Sequence, residues 1–193
     1  MRYRLSFLLL LWCVLSAPGA ALAAVQPGAP RFDLNVERVD SPEGDKVYQI
    51  TSSGTVEAAP DAVWRILTDY NHLADYLPNM KSTRVLSRNG DNVILEQLGT
   101  ARFLFFSRKI RLLVQVSERA PDRIDIGLIE GDMKVYRARW ELSPLAGATG
   151  TRVVYTATIV PKFDVPGIVG TTVVKNDIAR MMAAALLRLD RRE

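Results

Sequence analysis

Cysteine is almost missing from this chain, and histidine with it: the 193 residues hold one of each, Cys13 and His72. One thiol closes no internal disulfide, and one histidine without a neighbouring cysteine builds no zinc or iron site. No metal and no cofactor is therefore expected. A nucleophilic triad would have to rest on His72 alone, which reads instead as a surface or capping residue. Blocks of five like charges are also missing, which excludes the basic stripe that nucleic acid demands. No internal repeat or low-complexity segment occurs. Long hydrophobic runs reduce to one, from Leu5 to Leu15, about 11 residues where a bilayer crossing takes about 20.

That run explains the beginning of the chain. Arg2 and Arg4 precede it, and Ala21-Leu22-Ala23 follows with small residues at the −3 and −1 positions. Residues 1–23 read as a secretory signal peptide cut after Ala23, with an uncleaved anchor as the alternative. Trp12 breaks any lipobox around Cys13. The mature chain would be free of cysteine, which suits a periplasm that oxidises stray thiols, so the expected location is periplasmic or secreted. Residues 24–30 form a Pro/Gly/Ala linker, leaving 31–193 as one domain of ample size for its own core.

The formal charge of +4 falls to +2 in the mature chain, because the signal holds two arginines and no acid, leaving 23 basic against 21 acidic residues. One basic cluster stands out, Arg108, Lys109 and Arg111, just after the aromatic run Phe103-Leu104-Phe105-Phe106. It reads either as a solvated strand edge beside core aromatics or as a lip that touches an anionic membrane surface.

After the linker most of the domain has the period of a strand. Residues 31–39 and 46–58 flank the turn chemistry Ser41-Pro42-Glu43-Gly44-Asp45 and predict a hairpin. On the second strand Ile50, Ser52, Gly54, Val56 and Ala58 share a face whose small members leave room. Residues from Pro60 to Asp69 switch to helical spacing, with Val63, Trp64, Leu67 and Tyr70 inward and Trp64 as a core anchor. A second short helix follows over 71–77, with Asn71 as its cap. Six strands then alternate through 81–87, 92–102, 109–119, 124–142 (a hairpin of two, turning at Glu130-Gly131-Asp132) and 151–160, with Gly99 expected to mark a bend or bulge. Short turns between successive strands make an antiparallel meander, and a meander this long curls and needs a cover.

The cover is the last stretch, 165–192. Val174, Ile178, Met181, Met182, Ala185 and Leu189 draw one apolar stripe at helical spacing, with Asp177, Arg180, Arg188 and Arg191 opposite. Gly167, Gly170, Thr171 and Thr172 make its beginning small, while Met181 and Met182 give adaptable surface at its middle.

The run Ala59-Pro60-Asp61-Ala62-Val63-Trp64-Arg65-Ile66-Leu67-Thr68-Asp69-Tyr70 resembles the first-helix signature of the START-like, or helix-grip, superfamily. Leu77-Pro78-Asn79-Met80, Glu130-Gly131-Asp132 with Tyr136 and Trp140, and Val160-Pro161 with Val165-Pro166-Gly167 extend the likeness over about 47–189. It is nearest the polyketide cyclase/dehydrase and lipid transport branch, which includes coenzyme Q-binding proteins; the signal peptide is a departure from those quinone binders. The resemblance implies an α+β helix-grip (START/Bet v 1-like) fold, a curved antiparallel sheet gripping a long C-terminal helix, with a deep apolar cavity between them. A lipid, quinone or polyketide-like ligand would lie among Tyr136, Trp140, Tyr155, Ile178, Met181 and Met182, with Phe105 and Phe106 at the rim. The first reading is a non-enzymatic carrier. The alternatives are a cyclase or dehydratase, for which Glu96 and Arg137 are the only candidate acid–base groups, and a membrane or protein interaction module. Strand parity sets Arg137 opposite Tyr136 and Trp140. Oligomeric state is not legible.

Overall fold

The computed structural model describes residues 30–102, 107–147, 149–165 and 170–190. The signal peptide, the linker up to residue 29, Phe105 and Phe106 lie outside them.

Alternation of apolar and polar residues produces eight strands: β1 (Phe32–Asp40), β2 (Lys46–Val56), β3 (Met80–Asn89), β4 (Asn92–Arg102), β5 (Ser107–Arg119), β6 (Arg123–Gly131), β7 (Met133–Pro144) and β8 (Thr151–Pro161). They form one antiparallel sheet in the order β1-β2-β8-β7-β6-β5-β4-β3. Only the β2–β8 pair joins strands distant in sequence. After β2 the chain crosses through α1 (Pro60–Leu67) and a short 3-10 helix (Tyr70–Asp75) to the far edge, then returns strand by strand until β8 pairs with β2. The helix-grip architecture expected from the sequence is the one observed.

The inner face follows the alternation. Ile50 and Val56 on β2, Val93 and Leu95 on β4, Val114 and Val116 on β5, Ile124 on β6, Ala138, Trp140 and Leu142 on β7, and Val153, Tyr155 and Ala157 on β8 are buried in one core. Pro60 occupies the first turn of α1, where its missing N–H costs nothing, and Val63 and Leu67 are buried. Trp64, expected as the core anchor, is only partly buried against that core. Asn71 does not cap the second helix; its Oδ1 accepts the backbone N–H of Val85 at 3.1 Å and ties the helix to β3. Tyr70 donates to Glu118 at 2.8 Å, and Arg88 pairs with both oxygens of the same carboxylate at 3.0 Å, fastening that helix to β5. Gly99 stands where a bend or bulge was expected, opposite a bulge in which the β3–β4 register shifts between Met80 and Ser82. It pairs in register with Ile110, and a Cβ there would lie 3.0 Å from the Asn79 carbonyl oxygen, so its small size serves a close chain approach.

Helix α2 (Gly170–Leu189) lies over this face with Ile178, Met182, Ala185, Leu186 and Leu189 buried. Its nearest approaches in the sheet are to β1 and β2. Gly170 sits over the Tyr48 hydroxyl and Leu186 over Gly54, so the helix runs along β2. A Cβ at Gly54 would come within 2.7 Å of Leu186 Cδ1 and 3.2 Å of the Arg31 carbonyl oxygen. The room left by the small residues of β2 is thus filled by α2, and Ser52 spends its hydroxyl on the Asp33 carbonyl at 2.7 Å.

Gly54→Ala is expected to destabilise the fold by about 1–3 kcal/mol through overpacking. Chemical denaturation should show a smaller loss for the same change made in a Leu186→Ala background, where the opposing methyl is gone. Equal losses in both backgrounds would refute the close approach.

Candidate functional site

Because α2 hugs β1 and β2, the inner face is unevenly covered. Level with Gly170 are Tyr48, Ile159 and Tyr136, cross-strand partners on β2, β8 and β7. Ile159 and Tyr136 there are only half-buried, as are Ile126 and Leu128 of β6 and Val174 and Met181 of the helix. Towards the other end of α2 packing is complete, with Met182, Ala185, Leu186 and Leu189 fully shielded.

A small, partly open cavity of about 40 Å³ lies between the 3-10 helix, β4, β6, β7 and α2. Apolar side chains make most of its wall, among them Leu73, Leu95, Ile124, Trp140 and Ala185. Two polar groups interrupt them. The Tyr76 hydroxyl is buried without a hydrogen-bond partner. Gln97, on the inner face of β4, also lines the space, and its amide has no hydrogen bond among the described residues. Burial pushes the Tyr76 phenol well above its ordinary range, so it stays a neutral donor. An unpaired buried hydroxyl costs about 1–3 kcal/mol, and its retention beside a second idle polar group marks a place where something can hydrogen-bond.

The residues expected to hold a ligand are gathered together, but chiefly as core. Trp140 and Tyr155 stack at 4.7 Å with planes tilted by 48°. Ile178 and Met182 are buried in the same cluster, and Tyr136 and Met181 pack against it half-exposed. Burial raises both the Tyr136 and the Tyr155 phenol, with each hydroxyl acting on the other. The deep cavity implied by the resemblance is therefore narrow here, because these rings and methionines fill its middle. Tyr76 and Gln97 were not singled out from the sequence. Gln97 carried a signal, the one amide on an inward face shared with Val93 and Leu95; Tyr76 carried none.

Both acid–base candidates lie on the outer face. Glu96 pairs with Arg84 and Arg111 at 3.0 Å, which hold its carboxyl below the usual range, and Arg137 projects opposite Ala138 and Trp140. Asp177, expected on the solvent side of α2, is half-buried instead. Asn79 donates to it at 3.2 Å and Arg180 pairs with it, yet burial dominates and raises its carboxyl above the usual range. His72 is exposed and hydrogen-bonded to Asp69 at 2.8 Å, away from the cavity. Among the described residues no cluster of histidine, cysteine or carboxylate side chains is arranged to hold a metal.

The sequence over residues 56–186 matches the family described as polyketide cyclase/dehydrase and lipid transport. No curated protein sequence matches the chain. Among solved structures, a START superfamily protein from Mycobacterium smegmatis superposes with a TM-score of 0.63 at 19% identity, covering 73% of this chain and 96% of its own. The ZhuI aromatase/cyclase from Streptomyces sp. R1128 gives 0.62 at 15%, covering 74% and 91%. A STAR-related lipid transfer protein from Xanthomonas axonopodis gives 0.60 at 18%, covering 81% and 99%. At these identities the likeness is one of fold.

Tyr76→Phe is expected to stabilise the ligand-free protein by about 1 kcal/mol, since it deletes an unpaired buried hydroxyl; a loss of stability on denaturation would show that the hydroxyl is paired after all. The hydrogen bond to Asp69 holds His72 above its ordinary imidazole value of about 6.5. Its contribution to stability is present below that ordinary value and fades as pH rises through the higher folded one. NMR titration of this sole histidine should give the raised value, and Asp69→Asn should return it to normal.

Proposed function

The chain belongs to the polyketide cyclase/dehydrase and lipid transport family, and from that premise we propose that it is an exported carrier. It holds a hydrophobic small molecule, a lipid or quinone-like or polyketide-like compound, between the sheet and α2. The observation that carries this reading is the buried, unpartnered Tyr76 hydroxyl, set beside the Gln97 amide in a mostly apolar cavity. They offer a neutral donor and an amide to a carbonyl or headgroup, while the half-covered apolar surface of Ile126, Leu128, Tyr136, Ile159 and Met181 receives the ring or chain. Burying about 300 Å² of apolar ligand surface gains roughly 7 kcal/mol before ordering costs.

At about 40 Å³ the cavity takes small groups only; even benzene fills a cavity of about 150 Å³. A larger ligand spreads α2 away from β4–β7 while the helix keeps its grip on β1 and β2. The two methionines at its middle adapt without loss of apolar contact. The cavity lining supplies hydrogen bonds and no charge, so it favours holding over acid–base chemistry. The one observation that favours a cyclase or dehydratase is Asp177, whose raised carboxyl stands on α2 between Val174 and Met181.

Export rests on residues 1–23, with the signal cut after Ala23. A transient contact with an anionic membrane surface rests on the basic and aromatic rim, where Arg108 lies over the Phe163 ring at 4.7 Å beside Lys109 and Lys162.

Native mass spectrometry of the protein purified from its own host, followed by organic extraction, tests the proposal. The expected result is a chain beginning at Ala24 that carries a reproducible extractable mass, with ligand retention weakened about tenfold by Gln97→Leu or Tyr76→Phe, the worth of one net hydrogen bond. A bare chain that stays bare after incubation with phospholipids and ubiquinone overturns it. Ligand turnover abolished by Asp177→Asn would replace the carrier with an enzyme.

A further inference from the structure

The outer face of the sheet carries cross-strand rows whose charges can be counted. In one row Thr51, Thr156, Arg139, Asp125 and Ser117 are successive partners on β2, β8, β7, β6 and β5. There the arginine of β7 meets a carboxylate on β6: Arg139 Nε lies 2.6 Å from Asp125, whose other oxygen takes Arg123 at 3.0 Å. The adjacent row reads Gln49, Thr158, Arg137, Gly127 and Gln115. Here the β6 partner of the arginine is a glycine. Arg137 is exposed and has no ion-pair partner among the described residues.

Nothing in the fold asks for that glycine. Its φ is outside the left-handed region, and a Cβ built on it meets no atom within 4 Å. Glycine in a strand interior costs roughly 0.5–1 kcal/mol relative to alanine; β6 bulges at Ile129, two residues on, and the bare backbone at Gly127 itself leaves room for another molecule to approach. The pairing of β6 with β7 also ends at Gly127–Arg137; beyond it β6 stays with β5 and β7 with β8, so the two strands part. The result is a solvent-open groove of about 620 Å³ with Gly127 in its floor and exposed Ile129 on one side.

We propose that this groove is a second binding site, separate from the cavity under α2, for a sugar-sized polar ligand bearing a carboxylate or phosphate. The oxyanion takes the place where the neighbouring row has Asp125, paired with the Arg137 guanidinium across the bare Gly127 backbone. Ligand hydroxyls meet Thr158, Gln49 and Gln115, which stand on either side in the same row. Two arginines, Arg137 and Arg139, face one carboxylate, Asp125, so the groove is cationic by one charge. Its volume lies in the range of small-molecule sites.

Amide NMR titration of the mature protein tests this with glucuronate and glucose 6-phosphate as probes, inorganic phosphate as the bare anion and glucose as the neutral control. Saturable shifts at Gly127, Thr158 and Gln115 with either charged sugar, absent with glucose, are expected. The tighter of the two tells a carboxylate ligand from a phosphate one. Arg137→Gln should weaken binding about tenfold or more, the loss of a charge-assisted pair. Gly127→Val should abolish binding while keeping or raising the melting temperature, because the added side chain enters open space. Tyr76→Phe should leave these shifts unchanged, which separates the groove from the inner cavity. No saturable shift with either sugar, shifts scattered over many arginines with phosphate alone, or undiminished binding by the folded Arg137→Gln or Gly127→Val protein overturns the proposal.

Discussion

One helix has to cover a sheet that is far wider than itself. A helix with its side chains is about 10 Å across, and eight strands at roughly 4.8 Å span some 35 Å. Curvature of the sheet reduces the mismatch without removing it. α2 settles the matter by closing on β1 and β2, where Gly54 lets Leu186 seat against the strand. α1 and the 3-10 helix cover part of the rest, and Tyr70, Glu118 and Arg88 pin the latter in place. What remains is a strip of inner face that no backbone reaches. Trp140, Tyr155, Ile178 and Met182 fill its middle, and half-buried apolar side chains line its open end.

That strip explains why the polar groups lie where they do. Burying a hydroxyl or an amide without a partner costs more than burying a methyl, so an unpaired group inside a core is normally replaced. Ser52 and Thr151 on the same inner face obey the rule by bonding to the carbonyls of Asp33 and Ala58 at 2.7 Å. The Tyr48 and Tyr76 hydroxyls do not; Tyr48 lies under Gly170, and Tyr76 borders the cavity beside Gln97. The outer face keeps a parallel account in charge. Glu96 and Asp125 each serve two arginines, whereas Arg137 has only the bare backbone of Gly127 across from it on β6.

The strands and their faces were legible because period two leaves no freedom once one face is buried. Val93, Leu95 and Gln97 had to point the same way, and Arg137 had to point away from Trp140. The α2 stripe was legible for the same reason at period 3.6, and Ile178, Met182, Ala185 and Leu189 are buried as it demanded. Asp177 escaped the pattern, since a helix face defined by its own stripe says nothing about Asn79, a residue on another element that reaches the helix flank. Asn71 escaped it too, because it answers to a distant strand rather than to its own neighbours.

Sequence alone thus determined the order of elements, which residues face inward, and the need for a helix to close the sheet, all of which follow from local periodicity and the cost of exposing an apolar face. Only the tertiary structure decided how much space the closure leaves. Cavity volume is a small difference between large packed volumes, set by where α2 rests along β2 and how the Trp140 and Tyr155 rings tilt. The groove at Gly127 is likewise invisible to periodicity, since it depends on which residue of β7 stands across from the one glycine that lacks a side chain to pair.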